Sequence, residues 1–256
     1  MVGFLLSFLA AMVVAVVAWR ARALTWSGAA MATLIGGSCL LAGPEFAVLL
    51  VLFFVTSSAL SRLRPASAIA AKSGGRDGLQ VLANGGVAAA VALVYARERA
   101  SLWPAVFVAA LLAATADTWA TEIGGHSKRT PRLITNGTSV PPGTSGGVTL
   151  AGLAASAAGG LLVGVAAILL GLVTVPMGVV AALAGFTGSL VDSLLGATIQ
   201  EVRLCPRCST STEHRVHAAC GSATFRIRGL PYLDNDVVNL LATACAAVLC
   251  AILVRI

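Results

Sequence analysis

The chain has 256 residues, of which 58% are hydrophobic and only 11% charged, and its mean hydropathy is +0.92. Soluble domains carry roughly 25% charged residues, so this composition excludes a soluble globular enzyme, a disordered chain and a disulfide-stapled secreted module. Seventeen basic against ten acidic residues leave a net charge of +7, large for so few ionisable groups.

Runs of roughly 20 apolar residues match the length that crosses hydrocarbon. They predict an all-α, polytopic helical membrane protein rather than a barrel, which would show short alternating segments. Eight spans follow in chain order: 2–19, 25–43, 45–61, 79–96, 101–121, 147–172, 175–198 and 236–254. Only Gly43-Pro44-Glu45 separates the second from the third, which leaves a seven-span reading open there. The first run has no basic segment before it, so it reads as mature structure rather than as a signal peptide. Residues 1–256 form one integral membrane domain on this reading, multi-pass and in the cell membrane.

Cationic loops tend to stay in the cytoplasm. With eight spans, 14 of the 17 basic residues fall on one side and three (Arg97, Arg99 and Arg255) on the other. The expectation is that both termini lie outside, that loops 62–78, 122–146 and 199–235 are cytoplasmic, and that the active face is there.

Four acidic residues lie in or at the ends of spans: Asp117, Glu122, Asp192 and Asp236. An Asp at mid-membrane costs roughly 2.5–3.5 kcal/mol on insertion scales. On the fifth span Asp117, Thr118, Thr121 and Glu122 share about 140° of arc, and on the seventh Gly188, Asp192, Gly196 and Gln200 recur every four residues. Carboxylates at one depth suit a divalent cation, Mg²⁺, that in turn holds phosphate. Acids that cap helices or pair with nearby Arg and Lys are the plainer alternative.

Residues 140–149, Val-Pro-Pro-Gly-Thr-Ser-Gly-Gly-Val-Thr, run into the sixth span. Glycines and hydroxyls before a helix N-terminus suit an anion, and Lys128, Arg129 and Arg132 lie just upstream. The alternative is an ordinary turn with Thr144 or Ser145 as N-cap. Lys72 and Arg76 sit among glycines before the fourth span and are read as phosphate contacts. Asn84, about one turn inside that span, needs a partner for its amide. Asp234 is a fair N-cap for the last span, and Asp236 and Asn239 share a face. Cys205-Pro-Arg-Cys208, with His214, His217 and Cys220, has ligand types and spacing compatible with zinc, although free thiols are the preferred reading and a redox role is the third. A disulfide is disfavoured in a cytoplasmic loop. Cys39, Cys245 and Cys250 lie in spans as small packing residues.

Five stretches carry a resemblance to a known family: Gly75-Arg76 through Gln80 to Gly86; Ala116-Asp117-Thr118-Trp119-Ala120-Thr121-Glu122-Ile123-Gly124; Pro131-Arg132 through Gly143 to Thr149; Gly188-Ser189 through Asp192 to Thr198; and Leu233-Asp234-Asn235-Asp236-Val237-Val238-Asn239. Spread in order over about 165 residues, they resemble the integral membrane family that contains plant phytyl-phosphate kinase and transmembrane protein 19. Dolichol and phytol kinases and CDP-diacylglycerol synthase are more distantly similar.

The resemblance implies a CTP-dependent (or ATP-dependent) isoprenyl-phosphate kinase acting on a phytyl-like lipid monophosphate. In that reading Asp117, Glu122, Asp192 and Asp236 hold Mg²⁺, with Asp117, Asp192, Lys72 and Arg76 catalytic. Lys128, Arg132, Gly143, Thr144, Ser145, Gly146, Gly147 and Asn84 bind nucleotide phosphates. The candidate zinc ligands Cys205, Cys208, His217 and Cys220 rest on their spacing and not on the resemblance. The partners implied are nucleotide, isoprenoid lipid phosphate and membrane lipid, with no nucleic acid and with a homodimer left open. A cytidylyltransferase forming a CDP-lipid would use nearly the same parts, and a lipid or small-molecule transporter is the rival from another class.

Overall fold

The computed structural model describes residues 2–62, 75–212 and 214–255. Its described helices are α1 (Val2–Arg20), α2 (Trp26–Ala42), α3 (Pro44–Arg62), α4 (Gly78–Glu98), α5 (Leu102–Gly124), α6 (Leu150–Leu169), α7 (Val175–Thr198) and α8 (Asn235–Leu253). They follow the expected spans in order, with ends that agree to within about three residues. Five short strands lie in the long connections: β1 (Arg132–Leu133), β2 (Gly147–Val148), β3 (Val202–Cys205), β4 (Thr210–Thr212) and β5 (Phe225–Arg228). The protein is thus mostly helical and all-α in its apolar part.

Among the described residues seven helices are long and apolar enough to cross a membrane, and α2, at 17 residues, is shorter. Yet α2 covers the same height as α4. At one end Thr25 N donates to Arg76 O (3.0 Å), and at the other Arg99 Nη1 donates to Ala42 O (2.9 Å). Gly43 closes α2, its N–H reaching Cys39 O at 3.1 Å, and Pro44 opens α3 without needing a donor. The two helices are separate rather than fused.

Successive described helices alternate in direction, which brings one end of each to the same face. Arg62 Nη2 at the end of α3 bonds Ala21 O just past α1, Ser61 at the end of α3 bonds Glu122 near the end of α5, and Glu201 N past α7 bonds Leu233 O before α8. Side-chain oxygens start several helices on that face: Thr25 for α2, Asp77 for α4, Thr149 for α6 and Asp234 for α8 each accept from an N–H one turn in. Asp77 and Gln80 complete a reciprocal capping box.

The core centres on α5, which touches α3, α4, α6, α7 and α8. Of its most apolar 18 residues 72% are buried inside the protein, against 17% for α1, which sits at the edge on α2. Small residues set these distances. A Cβ at Gly188 on α7 would lie 2.9 Å from Ala113 Cβ of α5 and from Ala242 O of α8, so only glycine lets three helices meet there.

Between α7 and α8 the loop 199–235 is folded, a feature absent from the sequence reading. It forms a three-stranded antiparallel sheet in the order β4-β3-β5, with Leu204 opposite Ser211 on one side and Phe225 on the other.

Candidate functional site

The register set at Gly188 places the acids. One turn further along, in the same direction on both helices, stand Asp192 of α7 and Asp117 of α5. Their carboxyl groups come close enough to interact directly. Asp192 is buried, as is Ser189 a turn before it, whose hydroxyl lies 3.2 Å from that of Ser156 on α6. Two carboxylates in contact repel each other unless a proton or a cation lies between them.

The other two acids are placed differently. Glu122 follows Asp117 by five residues, a turn of about 140° around the helix, and it faces α3. There Ser61 Oγ donates to Glu122 Oε1 at 2.7 Å. Arg76 lies close enough for Glu122's charge to act on it, opposing the burial that lowers the guanidinium's proton affinity. Arg76 also packs over Phe53 and Phe54, 5.8 and 5.9 Å from their ring centroids. Glu122 thus faces α3 and Ser61, with Arg76 within reach of its charge. On α8 Asp236 occupies the first turn and Asn239 is buried. Among the described residues, Glu122 and Asp236 do not join Asp117 and Asp192 in one group with all ligand atoms within 4.8 Å of one another. Lys72 lies outside the described residues.

The glycine-rich stretch comes directly onto the end of α7. Arg132 pairs with Val148 and Leu133 with Gly147, so β1 and β2 close a hairpin around residues 134–146. At its base Gly146 adopts φ +79°, and a Cβ there would lie 2.4 Å from the Cβ and N of Ala197. Gly196, one turn beyond Asp192, is approached in return: its Cβ position is 3.0 Å from Gly146 N. Gly143 also has positive φ (+83°) but faces open space. Thr144 folds back on Pro141 O through its N–H (3.2 Å) and hydroxyl (2.7 Å), and Gly147 N donates to Thr144 O (2.9 Å). Ser145 is half-buried within this turn.

The helix after the hairpin starts at Leu150 rather than 147, because Gly147 and Val148 are held in the strand pair. Its N-cap is Thr149, with Gly152 N donating to Thr149 Oγ1 at 3.0 Å, and not Thr144 or Ser145. Arg132 is exposed and its guanidinium is spent on Gly137 O (2.9 Å), so it braces the hairpin. Lys128 is exposed on the approach to the hairpin. The amide of Asn84 finds its partner on its own helix, Gln80 O at 2.9 Å. A separate cavity of about 400 Å³, lined by Ala42, Glu45, Tyr95 and Arg99, opens at the opposite face and takes no part in this arrangement.

One residue escapes the sequence reading. Arg228, at the end of β5, donates Nη2 to Gly196 O (2.7 Å) and Nη1 to Ala197 O (3.2 Å), so a cation terminates the helix that carries Asp192. In the sequence it stands out only as one more basic loop residue. The Arg228-Gly229 pair before Pro231 is the signal that could have flagged it.

The sheet also gathers Cys205, Cys208, His217 and Cys220, whose ligand atoms all lie within 4.8 Å of one another. Cys205 Sγ is 3.5 Å and His217 Nδ1 3.2 Å from Cys220 Sγ. His214 is not in the group. The Cys208 thiol is pushed up to about 11, first by its hydrogen bond with Cys220. Hydrogen bonds from Ser222, and then His217, draw Cys220 down to about 6.

A family model described as integral membrane protein DUF92 matches residues 9–247. The chain belongs to the DUF92 family. Protein PGR of Arabidopsis thaliana is 32% identical over 254 residues, which cover 86% of this chain and 85% of the plant protein. An uncharacterized membrane protein of Synechocystis, sll0875, is 32% identical over 60% of this chain and 63% of its own length. Another from Methanocaldococcus jannaschii, MJ0933, is 31% identical over 62% of this chain and 66% of its own length. No solved structure matches. The DUF92 match spans α1 to α8 and includes the acid pair, the hairpin and the sheet.

Proposed function

We propose that this DUF92 protein is a membrane-embedded phosphotransferase that moves a phosphoryl group from a magnesium nucleotide, CTP or ATP, to an isoprenoid, phytyl-like lipid monophosphate. The observation that carries the reading is the Asp117–Asp192 contact one helical turn below the seat of Gly146 on α7. A pair of oxygen ligands on packed helices suits Mg²⁺, which is commonly bound through one or two carboxylates plus substrate phosphates. Asp117 and Asp192 would hold the ion, and it would supply charge neutralisation on the phosphates.

The remaining demand is positioning and electrostatics. An oxygen of the lipid monophosphate attacks the terminal phosphorus of the nucleotide, and the bond to the bridging oxygen breaks. Lipid diphosphate and nucleoside diphosphate result. The acceptor, with second pKa about 6, is largely dianionic at pH 7 and needs no general base. The hairpin with Gly143–Gly147 and Lys128 would flank the nucleotide phosphates. Placement at helix ends lets a polar head meet a soluble nucleotide while an apolar tail stays among the helices. The distribution of basic residues supports a cytoplasmic position for this face, with both termini outside.

The test is product analysis. Purified protein is incubated with Mg²⁺, labelled CTP or ATP and a panel of isoprenyl monophosphates. Lipid diphosphate plus nucleoside diphosphate is expected. A CDP-lipid with pyrophosphate would reassign the site to cytidylyl transfer, and intact lipid moved between leaflets without turnover would replace the proposal with transport.

A further inference from the structure

We propose that Cys205, Cys208, His217 and Cys220 form a structural zinc site that takes the place of a hydrophobic core in the module between α7 and α8. Two independent observations carry this, one geometric and one of packing.

The distances suit a four-coordinate ligand set. Cys205-Pro206-Arg207-Cys208 forms a tight turn between β3 and β4, closed by Ser209 N donating to Cys205 O at 2.9 Å, with Ser209 at φ +51°. His217-Ala218-Ala219-Cys220 forms a second turn, with Cys220 N and Gly221 N both donating to His217 O (3.2 and 2.8 Å). The two turns face each other and bring three sulfurs and one imidazole nitrogen within 4.8 Å. Zinc–sulfur bonds of about 2.3 Å in a tetrahedron give sulfur–sulfur edges of roughly 3.8 Å, close to the 3.5 Å between Cys205 and Cys220. Three thiolates and one neutral imidazole satisfy zinc by charge and softness, whereas Mg²⁺ prefers oxygen.

The packing argument is that the described residues of the module bury very little apolar surface of their own. Among the described residues from 201 to 234, the buried ones are Glu201, Cys205 and Thr224. Cys205 is the one apolar side chain of that set, while Val216, Phe225, Ile227 and Leu230 are all at least half exposed. A sheet this small cannot fold on so little buried apolar surface and needs a staple. The two turns are the points a cation would cross-link: one joins β3 to β4, and the other leads through Ser222 and Thr224 into β5. Arg203 reinforces the second link by donating Nε to Thr224 Oγ1 (2.9 Å). The order of β5, and with it Arg228 on the end of α7, would then depend on the metal.

Full-length protein purified without chelator is expected to carry about one zinc per chain by elemental analysis. Exchange with Co²⁺ should give the visible ligand-field and thiolate charge-transfer absorption of a tetrahedral sulfur-rich site. Cys208→Ser, at an exposed ligand, should lose most of the metal and open loop 199–235 to protease. Cys245→Ser, within α8, should retain both metal and resistance. Protein that contains no zinc, takes up no Co²⁺ and resists protease in that loop would overturn the proposal, as would a Cys208→Ser variant that binds metal like the parent.

Discussion

Arg228 and Gly196 are joined by a 2.7 Å hydrogen bond from guanidinium to carbonyl, which ties the last strand of the sheet to the helix that carries Asp192. The same guanidinium reaches Ala197 O, so one cation satisfies two of the carbonyls that a helix end leaves open. Arg228→Ala should destabilise the protein by about 1.5–3 kcal/mol, the usual worth of hydrogen bonds to a charged group. Arg228→Lys should recover only part of this, because an ammonium lacks the planar fork. Thermal unfolding in detergent, followed by intrinsic fluorescence, measures both.

Gly146 and Gly143 make a matched comparison. Both have positive φ, but a Cβ at Gly146 would collide with Ala197 at 2.4 Å, whereas one at Gly143 meets nothing within 4 Å. Gly143→Ala should cost about 1 kcal/mol of backbone strain and lower turnover far less than Gly146→Ala. Gly146→Ala should lift the hairpin off α7 and lower turnover by more than tenfold. Kinetic constants for the two variants, compared under the product assay, decide this.

The acids separate by what they touch. Asp117→Asn and Asp192→Asn preserve size and hydrogen bonding but remove the charge that would hold a cation, so each should abolish turnover without loss of folded protein. Glu122→Gln should keep measurable turnover and instead lower stability by about 1–3 kcal/mol, because it weakens the hydrogen bond from Ser61 and removes the charge felt by Arg76. If Glu122→Gln is inactive at full stability, the acid has a role in the reaction.

Glu201 supplies a pH dependence. Its carboxylate accepts from Tyr232 N at 2.7 Å and pairs with Arg203, and these contacts, the backbone bond first, hold it below the usual carboxylate range. A group whose folded pKa is depressed contributes stability above its unfolded value and loses that contribution as pH falls through the folded one. The junction between sheet and α8 should therefore loosen under acid conditions and not under alkaline ones. Amide exchange at Tyr232 should accelerate on acidification, after correction for intrinsic rates, and Glu201→Gln should flatten that response.

Much of this was legible in residue order. Long apolar runs mark the helices because burial in lipid demands them, and the stripe Gly188-Asp192-Gly196 shows which face of α7 meets its neighbours. The spacing Cys205-x-x-Cys208 with His217-x-x-Cys220 carries its geometry almost explicitly. What depends on distant pairing is not legible. Ser61 and Glu122 are far apart in sequence and meet only because α3 and α5 end at one level. The hairpin register that moves the cap from Thr144 to Thr149 depends on Arg132 finding Val148. Arg228 looks like a loop charge until β5 pairs with β3. Local chemistry can be read along the chain, but the partners of single ionic groups follow from tertiary packing.

The two chain ends of the sheet come together where Gly229 approaches Gln200, with Leu230 N on Ile199 O and Glu201 N on Leu233 O. The segment between them is therefore inserted at a single point, like a bead whose thread enters and leaves by the same hole. A short linker across that point could replace residues 202–227, and the shortened chain would report how far the seat of Arg228 on α7 depends on the excised strands.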